Sequence, residues 1–253
     1  MNPSRIIIGE HDSKSGEILF ELYKGIKAPV LHTDLRTAEM IKMASNVFLA
    51  TKISFINEIG NICKLLNIDI KEVVRGMAYD ERIGGKFLNA GLGYGGSCLP
   101  KDIGSLTALS KRFGYYPRLL QEVINLNEHQ ALKPVELLQR HLFLRGATIG
   151  VLGLAFKPGT NDIRESRAIG IVNALLREGA FVKAYDPMAV DDFKKVFPDI
   201  NYVTAEEVLN SDAVIIVTEW EEFHKLDYRG KTVIDGRGLP KAREAKIYEG
   251  LCW

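Results

Sequence analysis

Cysteine is scarce in this chain. Among 253 residues there are three, Cys63, Cys98 and Cys252, which form no evident metal-binding pair and no complete disulfide scheme. That excludes a disulfide framework and fits a reducing, cytoplasmic setting. An excess of charge of either sign is also missing. Lys and Arg number 33 against 32 Asp and Glu, a formal net charge of +1, which gives no reason to expect a nucleic-acid partner. Long apolar runs are absent as well: the strongest, residues 213–217, is far too short to span a bilayer, and the amino terminus has no signal-peptide core. His11, His32, His129, His141 and His224 are scattered with no HxxxH pair, so no metal site is expected. The expectation is a soluble cytoplasmic protein without a membrane partner, long enough for one or two cores.

The most informative stretch is residues 91–102, GLGYGGSCLPKD. Four glycines in six positions leave backbone able to pass close to a ligand. Cys98 follows directly, and Pro100 suits the first turn of a helix, whose N–H groups and positive end then lie beside the sulfur. Such surroundings favour thiolate over thiol. Asp102, four residues on, falls on the same face one turn later. An accessible loop, an activated sulfur and a nearby carboxylate point to covalent catalysis at a carbon centre. A buried cysteine in a glycine-rich turn is the bland alternative. Cys63 lies in a helical run among apolar residues and reads as packing, while Cys252, next to the last residue, reads as loose.

Three regions suggest themselves. Residues 1–33 hold a strand-like opening, a short helix at 14–24 and an extended stretch at 30–32, the orphaned end of an α/β domain. Residues 34–143 are strongly helical. Asp34 can cap a run that continues without proline or glycine to Glu58 and on to about Leu66, a rod of roughly 50 Å. Such a helix usually packs against something long, often a second copy of itself. Further helices are expected at 70–76, 100–113, 117–129 and 133–141. Residues 144–253 alternate strands (147–152, 180–185, 213–218, 231–235) with helices (165–177, 190–196, 205–210), the pattern of a parallel sheet with crossover helices. Gly150 and Gly153 after the first of these strands, with Asp186 ending the second, form a degraded dinucleotide fingerprint. No GxGxxG follows any strand.

Lys42 and Asn46 stand four apart on the long helix, and Asn57 returns to nearly the same angle. Met43, Ala44, Val47, Phe48 and Leu49 beside them make this face look internal, where a lysine needs a partner; a solvated polar stripe is the alternative.

The cysteine loop is one of several separated motifs that occur in one order: EMIKMASN at 39–46, DERIG at 80–84, GLGYGGSCLPKD, FKPGTNDIRES at 156–166 and DGR at 235–237. Together they closely resemble the nucleotide-sugar dehydrogenases, the UDP-glucose/GDP-mannose dehydrogenase family. The resemblance spans essentially the whole chain but only the later part of a typical member. It implies an α/β fold with a remnant of an N-terminal Rossmann domain at 1–33, a long-helix central dimerisation domain with the cysteine loop at 34–143, and a C-terminal Rossmann-like sheet domain binding the nucleotide-sugar at 144–253. The activity implied is NAD-dependent, two-step oxidation of UDP-glucose to UDP-glucuronate through a thiohemiacetal and a thioester on Cys98.

By the same resemblance, Lys42 stabilises oxyanionic character, Asn46 orders substrate and water, and Asp102 works with Lys42 on the hydrolytic water. Arg82, Lys86, Phe87, Leu88, Tyr94, Gly95, Phe156, Lys157 and Arg237 match nucleotide-sugar contacts, Arg82 reaching into the partner subunit of a homodimer. Arginine suits phosphate because its fork donates two parallel hydrogen bonds. Lys101 resembles a cofactor or phosphate contact. Arg164 resembles an NAD-phosphate contact, with a salt bridge at a helix start as its other reading. Asn89 departs from members with lysine there. GDP-mannose or another UDP-sugar remains open as substrate, although Ser97 stands where acetamido-sugar enzymes commonly have histidine. With most of the NAD domain absent, the chain alone is expected to be inactive. It would be half of a split enzyme completed by a separate N-terminal NAD-binding chain, or a non-catalytic nucleotide-sugar-binding fragment.

Overall fold

Two parallel strands open the chain. In the computed structural model, which describes residues 2–253, β1 (Ile6–Glu10) pairs with β2 (Val30–Asp34), Ile6 opposite Val30 and Glu10 opposite Asp34. The crossover between them is α1 (Ser13–Tyr23), started by a capping box in which Asp12 accepts from the Ser15 amide at 2.9 Å. These elements and the residues up to Phe48 form one compact unit, and the residues from Leu49 onward form a second. A two-stranded parallel sheet with a single helix cannot bury its own apolar surface, and Ile18, Leu22 and Leu31 stay exposed.

The long helix α2 (Leu35–Leu65) begins where Asp34 accepts from the Thr37 amide at 3.1 Å. Asn67, at φ 56°, turns the chain beyond its end. Next come α3 (Ile70–Ala78), capped by Asp69, then α4 (Leu99–Arg112) and α5 (Arg118–Leu138). The last corrects the sequence reading, which splits it into helices at 117–129 and 133–141. Pro134 lies inside one continuous helix. Burial of Ala131, Val135, Leu137 and Leu138 around it outweighs the one backbone bond that proline cannot donate.

Six parallel strands build the carboxy-terminal layer: β3 (Thr148–Leu152), β4 (Phe181–Tyr185), β5 (Asn201–Tyr202), β6 (Ala213–Ile216), β7 (Thr232–Asp235) and β8 (Ile247–Gly250). Their order is β5-β4-β3-β6-β7-β8. The helices α6 (Arg167–Arg177), α7 (Val190–Lys194) and α8 (Ala205–Val208) lie between them in sequence. Side chains alternate between two cores. Ile149, Val151, Ile215 and Ile234 pack with Ile171, Val172 and Leu175 of α6, while Leu152, Val214, Ile216 and Val233 pack with Val208, Phe223 and Tyr228. The order reverses between β3 and β6, so the crevice beyond the carboxyl ends of those strands is the natural ligand position of this sheet.

Cys252 also corrects its sequence reading. It is fully buried, a Cβ added at Gly60 would stand 2.8 Å from its own Cβ, and burial pushes its thiol up to about 11.

Candidate functional site

Residues 79–98 run without helix or strand from α3 to α4. Gly93 and Gly96 adopt φ of 92° and 80°, which side chains rarely tolerate. A Cβ at Gly95 would come within 2.2 Å of the Glu165 carbonyl oxygen, and one at Gly96 within 2.7 Å of the Phe156 ring. The glycines therefore serve close approach within the fold. The Gly96 amide donates to the Arg164 carbonyl at 3.0 Å, tying the loop to the segment before α6.

This path delivers Cys98 to the N-cap of α4, with Pro100 in the first turn and no side-chain cap. The thiol is exposed, with Sγ 3.7 Å from the Ser97 hydroxyl. It opens on a cleft of about 780 Å³ whose walls include Tyr94, Lys101, Asn127, Arg164 and Glu165. Tyr94 is buried there, and desolvation pushes its hydroxyl up to about 12. Two cations line this cleft with the sulfur. Lys101 lies 2.6 Å from Asp102, and the Arg164 fork grips Asp162 at 3.0 and 2.7 Å. Each is held above its ordinary range first by that carboxylate and, more weakly, by Cys98. Arg164 thus makes the expected ion pair and also lines the cysteine cleft. Asp102 is 2 % exposed, one turn from Cys98 and closed off by Lys101.

A second cleft, of about 500 Å³, holds Leu88, Asn89, Arg237, Glu219, Lys71 and Trp253. Arg237 Nε donates to the Val217 carbonyl at 2.6 Å and lies 3.1 Å from Glu219. Phe156 is half-buried, with the Lys157 ammonium 5.4 Å from its ring centre. Lys86 and Phe87 are exposed, Phe87 at φ 64°. Arg82 points outward, pairing bidentately with Asp80 at 3.0 and 2.6 Å.

Lys42 and Asn46 lie in the first unit, where they line a cavity of about 540 Å³ with Arg5 and Ser45. Lys42 is exposed and Asn46 half-buried, so this face is not the internal one that the flanking apolar residues suggest. Asn57, further along α2, is fully buried.

The degraded fingerprint of the C-terminal sheet does not fit a dinucleotide. A Cβ at Gly150 would stand 2.6 Å from Val208, and one at Gly153 2.5 Å from the Thr218 amide nitrogen, so packing accounts for both glycines. Asp186 is spent on the fold. One carboxylate oxygen accepts from the Leu154 and Ala155 amides and the Trp220 indole, the other from the Met188 and Ala189 amides. No acceptor pair is left to face a ribose.

Sequence reasoning missed Arg167, which is 6 % exposed, reaches Glu128 at 3.2 Å and donates to the Glu165 carbonyl. It also missed Asn127 and Gln130, which grip the glycine loop from α5. Their signal was two amide side chains three apart on a helix face that is otherwise apolar.

Comparison with known proteins agrees with these motifs. Residues 36–129 match the central domain of the UDP-glucose/GDP-mannose dehydrogenase family, and residues 150–242 match its UDP binding domain. UDP-glucose 6-dehydrogenase AglM of Haloferax volcanii is 43% identical over 263 residues, covering 99% of this chain and 61% of that protein. UDP-glucose 6-dehydrogenase TuaD of Bacillus subtilis is 43% identical, covering 94% and 54%. The solved UDP-glucose dehydrogenase of the archaeon Pyrobaculum islandicum superposes with a TM-score of 0.97 at 45% identity, covering 100% of this chain and 59% of that one. The chain thus spans between 54% and 61% of the length of these relatives. In α/β architecture and in both matched domains, the chain belongs to the UDP-glucose/GDP-mannose dehydrogenase family.

Proposed function

We propose that this chain is the thiol and nucleotide-sugar portion of an NAD-dependent UDP-glucose 6-dehydrogenase. The observation that carries the reading is an exposed Cys98 at the positive end of α4, in a cleft shared with Lys101 and Arg164. Residues 1–33 would complete a nicotinamide-binding domain, 34–143 carry the cysteine loop and the dimer contact, and 144–253 hold the nucleotide.

The covalent step follows from the groups present. The Cys98 thiolate adds to the carbonyl carbon of a sugar at the aldehyde level. The C–S bond forms as the carbonyl π pair moves to oxygen, which takes a proton, giving a thiohemiacetal. At the next oxidation level the adduct is a thioester. Water adds to its carbonyl, the C–S bond breaks, and acid and thiolate are released. Asp102, with Lys101 beside it, is the carboxylate of that water step, and Lys42 and Asn46 keep the roles the resemblance gives them. Oxidation itself would belong to a bound nicotinamide, toward which Lys101 and Arg164 are the assigned contacts. A separate or covalently joined amino-terminal portion would supply it.

Leu88 and Arg237 line one cleft and Tyr94 the other, and Phe156 and Lys157 follow β3, which supports a reading in which the diphosphate and nucleoside lie along the loops after β3, β6 and β7. Lys86, Phe87 and Gly95 belong to the same assignment, and Arg82 to the partner's site. Calorimetric titration of the chain with UDP-glucose, GDP-mannose and NAD tests it. UDP-glucose should bind and the other two should not. Tight NAD binding with no response to UDP-glucose would overturn the assignment, and preference for GDP-mannose would change the substrate.

A further inference from the structure

The loop that carries Cys98 lacks regular structure, yet three buried carboxamides hold its main chain. Asn57, Asn127 and Gln130 are 0%, 2% and 1% exposed. Asn57 Oδ1 accepts from the Gly91 amide at 2.7 Å, and Gln130 Nε2 donates to the Gly91 carbonyl at 2.7 Å. Asn127 makes both bonds to one residue, accepting from the Tyr94 amide at 2.8 Å and donating to its carbonyl at 3.1 Å, as a neighbouring strand would. Gly93 makes room for it, since a Cβ there would lie 2.3 Å from Asn127 Oδ1. Asn127 also lines the cleft that holds Cys98.

Burying amides is unfavourable unless they bond, and here Asn127 spends both ends on the loop, while Asn57 gives it its oxygen and Gln130 its nitrogen, the Gln130 oxygen accepting from Asn61 Nδ2 at 2.9 Å. We infer that Asn57, Asn127 and Gln130 are positioning residues, an amide clamp that locks residues 91–94 to α2 and α5 and so fixes Cys98 at the start of α4. The inference rests on Cys98 being the reactive thiol of the proposed function. It adds that the thiol's placement depends on groups whose bonds go to the main chain of the loop and not to the Cys98 sulfur.

Three measurements on the full chain test it. First, the Gly91 and Tyr94 amides of the unmodified protein should exchange with deuterium as slowly as helical amides of α5. Rapid exchange at both would remove the clamp. Second, Asn127→Ala should slow iodoacetamide labelling of Cys98 by about two- to fivefold, the scale of a lost helix-terminus effect, and displace its pH profile. Cys63 and Cys252 should stay protected. Third, Leu138→Ala, a core truncation on the same helix, should lower the melting temperature and leave the Cys98 profile in place. If Asn127→Ala also melts early with an unchanged Cys98 profile, its amide is merely structural and the inference fails. If Asn127→Ala does not fold, Gln130→Ala is read by the same criteria. An unreactive Cys98 in the unmodified chain would instead overturn the proposed function, and amide exchange would still decide whether the clamp exists.

Discussion

The backbone amide of Asp102 donates to the carbonyl of Cys98 at 3.0 Å, closing the first turn of α4. One helical turn thus joins an exposed thiol to a buried carboxyl. Cys98 should therefore be the thiol that reacts. Cys63 and Cys252 are buried, and burial holds the Cys252 thiol up at about 11, against thiolate formation. Limited iodoacetamide at near-neutral pH, followed by peptide mapping, should label Cys98 at least about tenfold faster than either. Preferential labelling of Cys63 would contradict the assignment.

Gly153 should tolerate no side chain. Its φ is 93°, and a Cβ would stand 2.5 Å from the Thr218 nitrogen, a backbone atom that cannot move aside. Gly153→Ala should cost roughly 3 kcal/mol in urea denaturation, or prevent folding, by strain and overpacking together. Unchanged stability would mean that the loop after β3 follows another path.

How much of this was legible beforehand depended on distance along the chain. The start of α4 was read correctly because Cys98, Pro100 and Asp102 are local to one another. So was the alternation of strands and crossover helices. The single α5 was not legible, because what carries it past Pro134 is burial against other elements. Nor was β8, whose IYEG sequence has too few apolar residues to mark a strand. Asn127 and Gln130 were not legible, since their partners Tyr94 and Gly91 lie more than thirty positions away. The buried Cys252 was missed because proximity to a terminus says nothing of packing.

Glu249 should make stability pH-dependent. Burial disfavours its charge, but His141 at 2.6 Å and Lys64 at 3.3 Å outweigh that and hold the carboxyl below its ordinary range. A carboxylate with a depressed folded value stabilises the protein above its unfolded value and loses that contribution as pH falls through the folded one. Glu249→Gln should therefore cost about 1 kcal/mol at neutral pH, and the cost should shrink as pH falls below the ordinary carboxylate range. Thermal melts from neutral pH down through that range check it; an equal penalty at both ends would contradict the linkage.

A second copy should cover the exposed side of α2. Phe55, Ile62 and Leu65 project from the carboxy-terminal half of that helix, with Leu66 directly after it, Leu65 with 85% of its surface exposed. Spacings of seven and four place Phe55, Ile62 and Leu66 along one stripe, more apolar surface than a monomer usually leaves wet. Light scattering at micromolar concentration should give twice the 28.2 kDa chain mass. A persistent monomer would contradict the dimer.

Turnover is the most direct measurement of whether this chain is the thiol and nucleotide-sugar portion of a dehydrogenase that must be completed. With UDP-glucose and saturating NAD, NADH formation by the 253-residue chain should stay at background. Adding a family amino-terminal portion, fused or as a separate chain, should start it, and Cys98→Ser in that assembly should abolish glucuronate formation while UDP-glucose still binds. Robust NADH release by the chain on its own, or undiminished acid from the Cys98→Ser assembly, would contradict the claim.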